Sequence, residues 1–125
     1  MESIMFSDPL TITVNAVAKN MIRINQDGYS SEYLLRETAG EYRARIRNSS
    51  YTDKTRGGVK VERHNIEFVY TIYPVSPATF PTIRKVYHVF EQDTGDDSAL
   101  MAKTVAALSA FVTEANATKM LNFES

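Results

Sequence analysis

The chain contains no cysteine and no tryptophan, and its 125 residues include only five glycines and four prolines. Without cysteine there is no disulfide framework, no thiol nucleophile and no thiolate metal site, so nothing points to an oxidising compartment. No apolar run approaches the roughly 20 residues of a membrane span. The segment Met1 to Pro9 lacks the basic start and long apolar stretch of a signal peptide, so synthesis in a cytoplasm is expected. Glycine-rich phosphate loops, nucleophile elbows and two-histidine metal spacings are missing as well. An excess of charge of one sign is also absent, since 14 Lys and Arg stand against 15 Asp and Glu. The hydrophobic share of 43% and charged share of 23% describe one ordinary globular domain, residues 1–125.

The net total conceals a segregated distribution. Eight basic residues lie between Arg36 and Arg63, opposed there only by Glu37, Glu41, Asp53 and Glu62. From Tyr42 the sequence alternates, with Tyr42, Ala44 and Ile46 on one side and Arg43, Arg45 and Arg47 on the other. Side chains of a strand point alternately to its two faces, so the three arginines form one basic stripe. From Val59 a second strand sets Ile66, Phe68, Tyr70 and Ile72 against Arg63, Asn65, Glu67 and Val69. The polar, glycine-ended stretch Asn48 to Gly58 between them suits a solvated hairpin loop. A charge run is often no more than a solvated face. Arginine favours the functional reading, because its guanidinium fork matches phosphate and stacks on bases. The apolar face needs a cover, and the pattern offers one only near the C-terminus.

The remaining elements follow in order. Leu10, Ile12 and Val14 alternate on a first strand, Asn15 and Ala16 turn it, and residues 9–25 read as an N-terminal hairpin. Asp27-Gly28 is a turn signal before a strand from Ser30 to Arg36, on which Tyr33 and Leu35 face away from Glu32 and Leu34. Three prolines make Pro74, Val75, Ser76, Pro77, Ala78, Thr79, Phe80 and Pro81 an extended, exposed loop suited to assembly contacts. The strand from Ile83 to Gln92 carries Val86, His88 and Phe90 on one face and Lys85, Tyr87, Val89 and Glu91 on the other. Thr94 and Asp97 suit a cap for a helix running to about Asn116, with a short helical turn after it. Met101, Val105, Leu108, Val112 and Ala115 mark one helical face, which Leu100, Ala107 and Phe111 make wider than a single sheet requires. A helix wedged between its own sheet and a second subunit accounts for that width; a helix buried on one broad side is the plainer reading. The expected class is α+β: an N-terminal β-hairpin, an antiparallel sheet of about five strands, and two C-terminal helices on one face.

Chemistry is sparse. His64 and His88 stand in strands beside apolar neighbours and read as structural residues. Asp93, Asp96 and Asp97 have the oxygens for a hard cation, but the positive end of a helix explains them more simply. Neither an enzyme, nor a cofactor, nor a metal site is expected.

The order of hairpin, sheet, proline-bearing loop, last strand and helices resembles the coat protein of the small single-stranded RNA bacteriophages. Asn25 to Tyr33, Glu62 to Phe68, the arginine strand and Arg84 to Tyr87 resemble the Caulobacter-infecting branch, and the likeness runs from about Leu10 to Glu124. The resemblance implies a homodimer with one continuous sheet, clasped by exchanged helices whose Leu100, Met101, Val105, Leu108, Phe111 and Val112 would lie between subunits. It implies an icosahedral shell in which the Pro74–Pro81 loop meets its copies, and a virion location. It also implies that genomic RNA lies on the inner sheet face, touching Arg43, Arg45, Arg47, Arg63, Asn65, Glu67, Lys85, Tyr87 and Glu91. Some relatives also grip a hairpin at the replicase start and repress translation, and Tyr87 is placed to stack a base there. The three arginines depart from the mixed hydroxyl-and-basic lining of the best-known relatives and favour phosphate-dominated packaging. Glu67 and Glu91 would repel phosphate unless arginines pair with them. A structural divalent cation at subunit contacts stays open. The competing readings are a cellular dimeric RNA-binding regulator that forms no shell, and a small-molecule-binding domain, which the lack of convergent polar groups on the apolar face disfavours.

Overall fold

Asn15 and Ala16 both adopt positive φ, 50° and 64°, and fold the chain back on itself between β1 (Leu10–Val14) and β2 (Val17–Gln26). Such a two-residue turn matches the right-handed twist of the strands it joins. In the computed structural model, which describes residues 6–125, four further strands follow: β3 (Ser30–Arg36), β4 (Gly40–Asp53), β5 (Val59–Ile72) and β6 (Thr82–Asp93). Residues 1–5, part of the Met1–Pro9 segment read above as lacking signal-peptide features, lie outside the described residues. The six strands form one antiparallel sheet in chain order, so the hairpin belongs to the sheet rather than adding to five others. Two helices close the chain, α1 (Ser98–Phe111) and α2 (Glu114–Leu121), and the α+β class expected from the sequence holds.

The turns are held by side chains. Asp27 Oδ1 accepts from the backbone N–H groups of Tyr29 and Ser30, and its Oδ2 from the Ser30 hydroxyl. Those donors, the Tyr29 N–H first, hold the Asp27 carboxyl below its usual range. Asn48 to Asp53, expected in a loop, instead prolongs β4, and only a 3₁₀ turn at Lys54–Arg56 and two glycines at positive φ separate it from β5. Polar composition misled there because a strand exposed to solvent needs no apolar alternation.

The chain divides into two compact units. One takes in the chain as far as Tyr51 together with Glu62–Glu91, and the other comprises Thr52–Val61 and Gln92–Ser125. In the first, Met21, Tyr33, Tyr42, Ala44 and Ile46 form the core, with Leu10, Ile12, Val14, Leu35, Ile66, Phe68 and Tyr70 packed around it. The cover over Tyr42, Ala44 and Ile46 is therefore supplied by the N-terminal hairpin, where the sequence suggested only the C-terminal segment. A register shift between Arg23 and Asn25 interrupts the β2–β3 ladder, and such irregularities bend and twist the strand that carries them. Tyr42 stacks on Tyr70 at 4.2 Å and on Phe68 at 5.7 Å, each pair contributing about 0.5–1.5 kcal/mol beyond burial. Gly40 begins β4 because a Cβ there would collide with the Thr71 carbonyl oxygen and crowd the Tyr70 ring.

The second unit is organised by ion pairs and caps. Arg56 reaches both carboxylate oxygens of Asp93, at 2.7 and 2.9 Å, and Asp53 at 3.0 Å. Asp97, rather than Thr94, caps α1 by accepting from the Ala99 and Leu100 N–H groups. The helix ends at Phe111, earlier than its apolar pattern suggested. Thr113 caps a second helix by accepting from the Asn116 N–H, and the Asn116 amide turns back to the Phe111 carbonyl.

Candidate nucleic-acid interface

The β3–β4 register decides which residues share the face opposite the core. Glu32 stands directly across from Arg45, Leu34 from Arg43 and Ser30 from Arg47, while Tyr33 faces Ala44 on the core side. The alternation read from sequence thus holds on both strands. β5 and β6 continue it: Glu67 and Lys85 meet on this face, and so do Arg63, Glu91 and Tyr51. On the other side Arg84 lies over the Tyr70 ring and His64 against Phe90.

The face is an ion-pair lattice rather than a bare basic stripe. Arg43 Nη1 donates to Glu32 Oε1 at 2.6 Å, and Nη2 to Glu41 at 3.3 Å. Arg45 Nε donates to the same Glu32 oxygen at 2.9 Å, and its Nη1 to Glu67 at 3.4 Å. Lys85 reaches the other Glu67 oxygen at 3.4 Å. Arg63 lies 3.5 Å from Glu91, which also accepts from the Tyr51 hydroxyl at 2.8 Å. The hydrogen bond from Arg43 is the leading cause that holds the Glu32 carboxyl below its ordinary range; burial opposes it, and the hydrogen bond from Arg45 adds to the lowering. Arg43 is pushed upward in turn, chiefly by Glu32. Glu67 and Glu91, left without an account by the sequence, are the counter-ions of Arg45, Lys85 and Arg63.

Three candidates stand apart from this lattice. Arg47 is exposed and has no acidic partner among the described residues. It borders a shallow polar recess of about 150 Å³ with Asn25, Gln26, Ser30, Ser31, Glu32 and Arg45. Tyr87 is exposed beside Lys85 on β6. Asn65 carries a buried Oδ1 that accepts no hydrogen bond. The arrangement offers anion-binding donors, an aromatic ring and amide groups on one side of the sheet, the set that contacts RNA through phosphate, stacking and base edges.

Sequence reasoning missed Glu32 and Glu41. The face of Glu32 was legible from its opposition to Tyr33 and Leu35. Its partner was not, because the β3–β4 register depends on how the Glu37–Ala39 turn closes. That closure is a backbone pair: the Glu37 N–H donates to the Gly40 carbonyl at 2.8 Å.

The remaining candidates are hydrophobic. Met101 and Val105 are half-buried in the single chain, whereas Leu100, Leu108, Phe111 and Val112 are exposed. At about 100° per residue, Leu100, Phe111 and Leu108 fall within about 80° of one another on α1. The Pro74–Pro81 loop is exposed along its length, and its large apolar side chains Val75 and Phe80 are mostly open to solvent. No described helix is long and apolar enough to cross a membrane.

A family model described as "Phage phiCb5, coat protein" matches residues 7–93, which is more than half of the chain. No curated protein matches.

Proposed function

Because the chain belongs to the phage phiCb5 coat protein family, and is therefore a structural capsid protein, we propose that it acts as a homodimer. Dimers assemble into an icosahedral shell and hold single-stranded genomic RNA against the Arg43–Arg45–Arg47 face. The observation that carries the RNA reading is the charged side of the sheet, where five basic side chains and Tyr87 share one surface opposite a hairpin-covered core. Phosphate contacts from such a surface fix position without reading sequence, which suits enclosing a whole genome. The dimer reading is supported by the apolar residues of α1 that one chain leaves exposed. The Pro74–Pro81 loop, exposed and without an ionisable side chain, is the contact between dimers.

Repression of replicase translation through an RNA hairpin is the narrower extension of this reading. Tyr87 is the residue that stacks a loop base in it, and Asn65 the one that reaches a base edge. Synthesis takes place in the bacterial host's cytoplasm, with no small-molecule substrate and no membrane partner.

Expression of the full chain in bacteria, followed by electron microscopy and RNA extraction, tests the proposal. RNA-filled spheres are expected. A lone dimer that binds RNA and never closes into shells would replace the capsid reading with that of a regulator module. Particles free of RNA would remove the role of the arginine face.

A further inference from the structure

Glu32 occupies two of the three guanidiniums of the Arg43–Arg45–Arg47 stripe. One of its oxygens accepts from both Arg43 and Arg45, at 2.6 and 2.9 Å, and these are the two shortest ion pairs on this face. The Glu67 contacts to Arg45 and Lys85 are both 3.4 Å, and the Arg63–Glu91 contact is 3.5 Å. Glu32 is also less exposed than either arginine, with 20% of its side chain accessible against 29% and 38%. It therefore stands beneath the arginines, in the wall of the recess that Arg45 and Arg47 share.

We propose that Glu32 is a specificity-determining residue of the RNA face: its carboxylate stands in for a phosphate between Arg43 and Arg45 and must be displaced by one. This inference rests on the RNA-binding reading above and deepens it. An incoming phosphate meets Arg47 unopposed but gains Arg43 and Arg45 only by breaking two charge-assisted hydrogen bonds, which are among the stronger kind. A single phosphate on a random strand gives little in return for that exchange. A strand that places several phosphates and a stacked base on the face at once gives more. Glu32 thus lowers affinity for stray RNA and raises the advantage of a strand that fits the whole surface, which is discrimination by opposing the wrong partner.

The test compares wild type with Glu32→Gln and Glu67→Gln, each as the full chain. The probe is a random single-stranded RNA of uniform length, titrated at several salt concentrations. Glu32→Gln is expected to bind about tenfold more tightly at moderate salt. Its log–log salt slope should steepen by about 0.7 for each arginine that turns to phosphate. Glu67→Gln should move in the same direction by less, because its contacts are longer; that holds the proposal open to test even if Glu32→Gln folds poorly. Unchanged or weaker binding by both variants, with the wild type itself bound, overturns the role of Glu32. No binding by any of the three proteins overturns the RNA reading, and this inference with it.

Discussion

The first unit of this chain closes on itself and the helices of the second do not. Met21 and Tyr33 have no accessible surface at all, and five residues from three strands form a core that hairpin and sheet complete together. Neither helix contains a single buried residue, and Leu100, Leu108, Phe111, Met120 and Leu121 are each more than half exposed. Exposed apolar residues are ordinary one at a time; a row of them along two consecutive helices marks an interaction surface. Under the proposed dimer, stability and assembly are carried by different stretches of one short chain. Core substitutions should therefore unfold the protein, and helix substitutions should leave a folded chain that cannot associate.

The largest effect tests the closed side. Tyr33→Ala removes a fully buried ring and the partner that the Arg23 guanidinium contacts through the Tyr33 hydroxyl at 3.2 Å. It should cost about 3–5 kcal/mol in urea unfolding, the usual range for deleting a buried aromatic side chain. A loss below about 1 kcal/mol would mean that the hairpin does not complete the core, and the comparison would collapse.

Much of the closed side was legible in the sequence, and the reason is periodicity. Alternation in Leu10–Val14, Tyr42–Ile46 and Ile66–Ile72 specifies which residues face inward, because a strand can bury only every second side chain. What covers that face was not legible. The hairpin's own pattern says that Leu10, Ile12 and Val14 seek burial, but not that they find it over Tyr42 and Ala44. That depends on packing between strands distant in sequence, and the β2–β3 ladder contains a register shift that no local signal announces. The candidate site divides in the same way. Arg43, Arg45 and Arg47 were readable as one face, whereas the pairing of Arg43 and Arg45 with Glu32 and Glu67 required the register between strands; only Glu41, two residues from Arg43 on β4, lay within reach of local pattern.

The next effect tests the open side. Phe111→Asp places a charge on the exposed apolar arc of α1, where the proposed dimer buries it. It should weaken association by at least about 2 kcal/mol, the level of an interface hot spot. Sedimentation should then find folded monomers with unchanged circular dichroism. Folded, soluble monomers from the unaltered chain at ordinary concentrations would show that the helices need no partner. A smaller effect concerns cargo alone. Arg45→Ala should leave the dimer intact and, for packaged RNA that fits the whole face and has displaced Glu32 from this arginine, reduce the salt slope by about 0.7, one phosphate contact on a single strand. Equal RNA content and an equal slope in Arg45→Ala particles would move the RNA to another surface.

The smallest effect is a pH dependence, and it sharpens the comparison because the two units contain different carboxylates. In the first unit Glu32 is held below its ordinary value of 4.5, with the Arg43 hydrogen bond as the leading cause. In the second, Asp53 and Asp93 are held below 3.8, Asp53 first by the Thr55 hydroxyl and then by Arg56, and Asp93 by Arg56. A carboxylate whose folded pKa is depressed stabilises fully above its unfolded value and loses that contribution as pH falls through the folded one. The Glu32 contribution should therefore be intact at pH 6 and begin to fade just below 4.5, whereas those of Asp53 and Asp93 begin to fade below 3.8. These pairs are open to solvent and screened by it, so melting temperature should be flat from pH 7 to 5 and decline modestly below. Glu32→Gln removes the earlier part of that decline and leaves the later part, since a glutamine cannot titrate. If the variant and the wild type follow one curve from pH 5 to 3, the Glu32 pairs contribute nothing to the fold. Their role would then be confined to contacts with whatever the arginine face holds.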